Sequence, residues 1–144
     1  MSDSTVAEMV EFELVAPERL VQSKSVGMVV VPCTEGDIGV LPGHAPLIGT
    51  VRPGVVDIHE NGKVTDRVFV SGGFVEVTPD RCTLLAEEAI AVADITRENA
   101  DARLAQAQGL LEKAKSEVEK SRATAAVEMA EAMLAALGAG AQQH

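Results

Sequence analysis

Tryptophan and tyrosine are absent from this chain, and its aromatic complement is Phe12, Phe69 and Phe74. Small-molecule pockets and interface hot spots draw heavily on aromatic side chains, so their scarcity argues against a small-molecule enzyme. Cations are scarce too. Twelve Lys and Arg stand against 22 Asp and Glu, for a formal net charge of -10. Nucleic acid and anionic lipid select for the opposite balance, whereas a basic or polar protein surface stays open as a partner. Cysteine occurs twice, at Cys33 and Cys82. Both adjoin apolar runs, and two buried free thiols are the expected state against a disulfide or metal pair. No further Cys or clustered His supplies the remaining ligands of a zinc site, and no metal is expected. Long hydrophobic runs are missing. The uncharged stretch from Ile38 to Val51 is broken by Gly and Pro and falls short of the ~20 residues a membrane helix needs. Met1-Ser2-Asp3-Ser4-Thr5 lacks the basic n-region of a signal peptide. A soluble cytoplasmic protein is expected.

What is present divides at about Ala93. All six prolines and nine of the twelve glycines lie before it. Short apolar or alternating runs recur there between turn signals: Val10 to Val15, Ser25 to Pro32, Gly54 to His59, Val64 to Ser71, Phe74 to Thr78, Cys82 to Ala86 and Ile90 to Val92. Alternation of this kind is the mark of half-buried strands. Asn61-Gly62 between two of the runs accepts the positive φ values of a tight two-residue hairpin loop. Residues 1–93 are therefore expected to form an antiparallel β-sandwich or flattened barrel.

Residues 94–144 contain no proline and are rich in alanine. Asp94 or Thr96 is a candidate N-cap for a first helix over about 96–113. Leu104, Ala107, Leu111, Ala114 and Val118 recur at spacings of three and four, and Val127, Ala130, Leu134 and Leu137 form a second such stripe. Each is the expected buried face of an amphipathic helix. Ser116 with Glu119 three residues on reads as a capping box. A second helix over about 117–137 is expected to end at Gly138-Ala139-Gly140. The two helices would form an antiparallel hairpin, with one long helix as the alternative. Alanine buries little area, so the hairpin is expected to be weakly held.

The densest cluster of turn formers is Glu35-Gly36-Asp37-Ile38-Gly39-Val40-Leu41-Pro42-Gly43-His44-Ala45-Pro46-Leu47. His44 in such a loop is either a general base or a structural or interface histidine. No triad partner stands near it in sequence, and the second reading is preferred. His59, alternating with Asp57, reads as surface. Ser71-Gly72-Gly73-Phe74 lacks the longer pattern and following Lys of a phosphate loop, so a hairpin turn is expected there. The Glu and Lys/Arg residues between Glu112 and Glu131 read as a solvated helix face. Unaided, these patterns describe a β-sandwich with a helical hairpin, used for docking to other proteins.

From about Val10 to Leu137 the chain closely resembles the epsilon subunits of bacterial F-type ATP synthases. The resemblance is carried by the segment Glu35 to Leu47, then Arg52-Pro53-Gly54, then Ser71-Gly72-Gly73-Phe74-Val75-Glu76-Val77, in that order and spacing. It implies a sandwich of about ten antiparallel strands followed by two antiparallel helices, an α+β fold in sequence order. It also implies a non-catalytic subunit of the proton-translocating rotor, without cofactor, peripheral on the cytoplasmic face of the bacterial inner membrane. Glu35 and Asp37 would lie towards the ring of c subunits, and Pro42, Gly43, His44, Ala45 and Pro46 towards gamma. In that family the helices can extend along gamma towards the alpha and beta subunits and block hydrolysis. Some members hold the folded hairpin by binding ATP through an Ile/Leu-Asp-x-x-Arg-Ala motif. The matching positions here are Ile95, Thr96, Asn99 and Ala100. Thr96 replaces the acid and Asn99 the cation, so charge-assisted contacts are missing and a coupling role is expected over an ATP-sensing one. After Arg122 no Lys or Arg follows, and inhibition is expected to be weak.

Overall fold

The structure is a computed structural model that describes residues 8–142, with side chains through residue 138. The expectation about Met1 to Thr5 lies outside the described residues. The chain divides into two compact units, Met1–Ala89 and Ile90–His144.

The first unit holds nine strands and the first residue of a tenth. β1 (Val10–Ala16), β2 (Arg19–Val26), β3 (Met28–Cys33), β4 (Gly36–Val40), β5 (Leu47–Val51), β6 (Gly54–Glu60), β7 (Lys63–Val70), β8 (Gly73–Thr78), β9 (Arg81–Ala86) and β10 (Ala89–Ala91) follow in order. They form one ten-stranded sheet in the order β10-β7-β6-β3-β5-β8-β9-β1-β2, with β4 attached to β3. All pairs whose register is defined are antiparallel apart from β1 on β9, which runs parallel from Glu11 opposite Arg81 to Val15 opposite Leu85. β3 changes partner along its length: Met28 to Val30 pair with β6, and Cys33 pairs with Val51 of β5. The sheet thereby folds over into two layers around one core. At its margins Lys24 of β2 meets Asp66 of β7 at 2.8 Å and Glu60 of β6 at 3.4 Å. The hydrogen bond to Asp66 raises the Lys24 pKa above its ordinary value, against a smaller opposing effect of burial.

Alternation explains the core. In β1, Val10, Phe12 and Leu14 are fully buried while Glu11 and Glu13 turn away. Val75 and Val77 of β8 and Cys82, Leu84 and Ala86 of β9 do the same. Both cysteines are free and buried, and burial pushes the Cys82 thiol up to about 12, which makes it a poor nucleophile at neutral pH. Asn61 and Gly62 take φ of 56° and 78°, the two-residue turn expected between β6 and β7.

Two sequence expectations need correction, and one strand, β2, was missed. Ser25 to Pro32 is not one strand, because the run breaks at Gly27 between β2 and β3. Most of β2, Arg19 to Ser25, has no apolar alternation, since it is the terminal strand of the sheet and half of it faces water. Ser71-Gly72-Gly73-Phe74 is not a hairpin turn. β7 and β8 are not neighbours, and the two glycines, at φ of 129° and 148°, carry the chain from one layer to the other. Ser71 N–H donates to the Glu88 carbonyl and Glu87 N–H to that of Gly72, both at 3.0 Å. These bonds tie the crossover to the far end of β9.

The second unit takes in the end of β10, then a 3-10 turn at Val92–Asp94, α1 (Arg97–Lys113) and α2 (Glu117–Gln142). Thr96 is the N-cap: its hydroxyl accepts the Asn99 N–H at 3.1 Å. Residues 114–116 turn the chain, and the capping box is present. Ser116 Oγ accepts the Glu119 N–H at 3.1 Å, and Glu119 Oε1 accepts the N–H groups of Lys115 and Ser116 at 2.8 and 3.4 Å. Ser116→Ala is expected to cost about 1 kcal/mol, read as faster amide exchange over the first turn of α2 with α1 unchanged.

Two expectations about these helices also fail. Gly138-Ala139-Gly140 does not end α2, which runs on to Gln142. Glycine stops a helix by adopting left-handed φ; Gly138 does not take it, so it costs only the ~1 kcal/mol of helix propensity. The buried face is also shifted from the two apolar stripes. Ala107 and Ala130 are buried, together with Ala100, Ala123, Met133 and Ala136. Leu104, Leu134 and Leu137 are only half-buried, and Leu111 and Val118 are exposed. The buried positions of the two helices are alanines with one large side chain, Met133.

Candidate functional site

β4 separates the two groups of residues singled out in the loop. The β3–β4 turn carries Thr34 and Glu35 at one end, and Asp37 is the second residue of the strand. Leu41 to Pro46 leave the other end. Five residues at ~3.3 Å each put the two ends about 17 Å apart.

At the acidic end both carboxylates are exposed. A short ladder fixes the turn from below: Thr34 N–H donates to the Thr50 carbonyl and Arg52 N–H to that of Pro32, both at 2.9 Å. The Arg52 guanidinium reaches over it. Nη1 donates to the Cys33 carbonyl at 2.5 Å and Nη2 to Asp37 Oδ1 at 2.7 Å. Burial raises the Cys33 thiol pKa, while the Arg52 charge opposes this. A cleft of about 490 Å³ opens beside the turn, with Glu35 and Asp37 on its rim and Ile38, Leu47, Ile48 and Phe74 among its apolar walls.

At the other end, Gly43 takes φ of 85°, and its N–H donates to the Pro79 carbonyl at 2.6 Å. His44 N–H closes a turn onto the Leu41 carbonyl at 3.1 Å, and its Nδ1 lies 2.7 Å from the Ala45 carbonyl oxygen. That contact makes Nδ1 the protonated nitrogen, since a carbonyl only accepts. His44 is bonded to backbone and meets no acid or nucleophile in these contacts. Pro42 and Pro46 fix φ on either side of it, and Ala45 and Pro46 are exposed. Backbone hydrogen bonds at Gly43 and His44 and the two prolines restrain the loop.

Across β8, β9, β1 and β2 runs a feature that residue patterns did not single out. Phe74 and Leu85 occupy the outward phase of β8 and β9 and are opposite each other. Leu85 is opposite Val15, and Val15 opposite Leu20. With Ile48 on β5, this outer face exposes large apolar side chains: Ile48 74%, Phe74 59%, Leu20 57% and Leu85 53%. An apolar row at positions where alternation calls for polar residues marks an interaction surface. The parity of Phe74 and Leu85 within their strands was the signal that could have revealed it.

The remaining positions lie in the second unit. Ile95 and Ala100 are buried, and the Thr96 hydroxyl is occupied as the helix cap. Asn99 lines a cleft of about 350 Å³ with Asp94, Ile95, Arg103, Gln106 and Met133. Among the described residues no group of three or more His, Cys, Asp or Glu could hold a metal ion, and no helix is long and apolar enough to cross a membrane.

Comparison with known proteins gives a consistent result. Residues 9–92 match the model of the ATP synthase delta/epsilon chain β-sandwich domain. An ATP synthase epsilon chain of Rhodospirillum rubrum is 56% identical over 131 residues, spanning 91% of this chain and 98% of that one. The epsilon chain of Paramagnetospirillum magneticum is 54% identical over 132 residues, spanning 92% and 99%. Among solved structures, a chain of the Euglena gracilis mitochondrial ATP synthase, in an assembly of OSCP, F1 and c-ring, superposes with a TM-score of 0.77 at 24% identity, covering 92% of this chain and 83% of that one. A chain of the Tetrahymena thermophila mitochondrial ATP synthase central stalk and c-ring does so with a TM-score of 0.69 at 12% identity, covering 89% and 96%. At these identities the two superpositions speak to the fold.

Proposed function

This chain belongs to the family of ATP synthase epsilon chains, and from that premise we propose that it is a non-catalytic rotor subunit that joins gamma to the ring of c subunits. The observation that carries this reading is the parting of two unlike surfaces to opposite ends of β4. The acidic turn at Glu35 and Asp37 meets the cytoplasmic loops of the c ring. The Pro42 to Pro46 projection meets gamma, as does the apolar outer row of Leu85 and Phe74, the latter also a wall of the cleft beside the acidic turn. Such a part transmits torque from proton flow through rigid surfaces. The prolines, the Gly43–Pro79 bond and the Arg52 ladder supply rigidity rather than reactivity. The two superposed chains come from assemblies that contain a c ring, one of them together with the central stalk, which supports a position between stalk and ring. The subunit is then peripheral to the bacterial inner membrane, on its cytoplasmic side.

The experiment is binding of the full chain, separately, to gamma and to detergent-solubilised c ring. The double variant Glu35→Gln, Asp37→Asn is expected to lose c-ring binding and keep gamma binding, and Ala45→Asp to do the reverse. Loss of both partners in either variant would contradict the reading.

The helical hairpin touches the alpha and beta subunits only transiently in this proposal. The Thr96 hydroxyl is spent on the Asn99 N–H, which disfavours the ATP-sensing alternative. Removal of residues 94–144 is expected to raise hydrolysis by the reconstituted complex by no more than about twofold, a change of ~0.4 kcal/mol in the barrier. A many-fold rise would show strong inhibition instead.

A further inference from the structure

The two acids of the β3–β4 turn are not equivalent, and the difference comes from Arg52. Its guanidinium holds Asp37 Oδ1 at 2.7 Å and the Cys33 carbonyl at 2.5 Å, while its own N–H anchors on the Pro32 carbonyl. One residue on the exit from β5 thus holds both sides of the turn, through a planar fork that presents two donors at once. Among the described residues none forms an ion pair with Glu35, which is exposed at the tip. The Asp37–Arg52 pair is itself exposed, with side chains 59% and 42% accessible, and pairs of that kind contribute little to stability. Its consequence is geometric.

We infer that Arg52 is the positioning residue of the acidic turn: it neutralises Asp37 internally, fixes the turn, and leaves Glu35 as the carboxylate offered to a cationic group. This rests on the proposed role of the turn in meeting the c ring. Lysine in place of Arg52 keeps the charge but cannot reach both acceptors with one fork, so partial rescue is the signature of positioning.

The test measures c-ring binding, gamma binding and amide exchange of the β3–β4 turn for the full chain and for Arg52→Gln, Arg52→Lys, Glu35→Gln and Asp37→Asn. Arg52→Gln is expected to weaken c-ring binding about tenfold, with gamma binding unchanged and the salt dependence of c-ring binding kept, because Glu35 still makes its contact. Arg52→Lys is expected to recover part of that loss. Glu35→Gln is expected to weaken binding by a similar factor and to flatten its salt dependence, and Asp37→Asn to do less than Glu35→Gln. The Thr34 to Asp37 amides are expected to exchange several-fold faster in Arg52→Gln than in the parent. Unchanged c-ring affinity in Arg52→Gln, or a larger effect of Asp37→Asn than of Glu35→Gln, would overturn the inference. A parent chain that fails to bind the c ring would overturn the proposed role of the turn instead. In that case the exchange measurement still decides, since unchanged exchange in Arg52→Gln would show that Arg52 does not fix the turn.

Discussion

Gly73→Ala is expected to cost about 4 kcal/mol of stability, the far end of the range for a single substitution. Two effects add. Gly73 sits at φ of 148°, where a side chain is strained. A Cβ there would overlap the Leu85 carbonyl oxygen and lie 2.9 Å from the Leu85 carbonyl carbon and 3.0 Å from Ala86 Cα. Those atoms are the backbone of β9, which is paired to β8 on one side and β1 on the other, so neither strand can yield without breaking a ladder. Total stabilities of domains this size run to ~5–15 kcal/mol, and the loss takes much of that. Denaturant titration checks it. Gly62→Ala provides the scale: φ there is 78° with open space around it, and the expected cost is only the ~1 kcal/mol of a left-handed residue. A midpoint for Gly73→Ala no lower than for Gly62→Ala would show that the crossover does relax.

Phe74→Glu is expected to weaken gamma binding by about 100-fold, some 2.7 kcal/mol, while changing stability by less than about 1 kcal/mol. The separation of the two effects follows from parity. Phe74 stands on the outward phase of a strand whose inward phase is Val75 and Val77, so the core does not notice its removal. Burying a carboxylate among Leu85, Val15 and Ile48 in a complex leaves a charge unpaired, which is costly. Titration calorimetry against gamma with denaturation of the free chain reads both numbers. Equal losses of stability and affinity would mean that Phe74 belongs to the core.

Much of the architecture was legible because local chemistry and tertiary structure agree. β1 could be read from Val10, Phe12 and Leu14, the β6–β7 turn from Asn61-Gly62, and the start of α2 from Ser116 with Glu119. In each case one short-range cause suffices. The failures share a different origin. The glycines at 72 and 73 have turn composition, but only the path of β9 past Gly73 shows that they make a crossover. Gly138 has the composition of a helix stop without the left-handed φ that makes one. The leucine stripes of the helices have the right period, yet the fully buried positions are mostly alanines. β2 carries no pattern because one margin of a sheet tolerates polar residues on both faces.

The candidate segment was legible by its turn chemistry, but the contacts within it were not. Glu35 to Leu47 stood out by turn chemistry alone, and its two ends are separated by β4. Arg52 lies five residues beyond that segment. Its contacts with Cys33 and Asp37 exist only because β3 and β5 meet at Cys33 and Val51. Likewise Phe74 and Leu85 become one surface only through the register of β8 on β9. Residues at the two ends of such pairings are far apart in sequence, and no periodicity links them.

The separation of two docking surfaces by one short strand is tested most directly by placing a photo-crosslinker at Thr34 or at Ala45 in the assembled enzyme. Both positions are exposed, and neither is one of the charged contacts. The proposed arrangement predicts that the probe at 34 captures a c subunit and the probe at 45 captures gamma, each without the other. Capture of the same partner from both positions would contradict the two-ended arrangement.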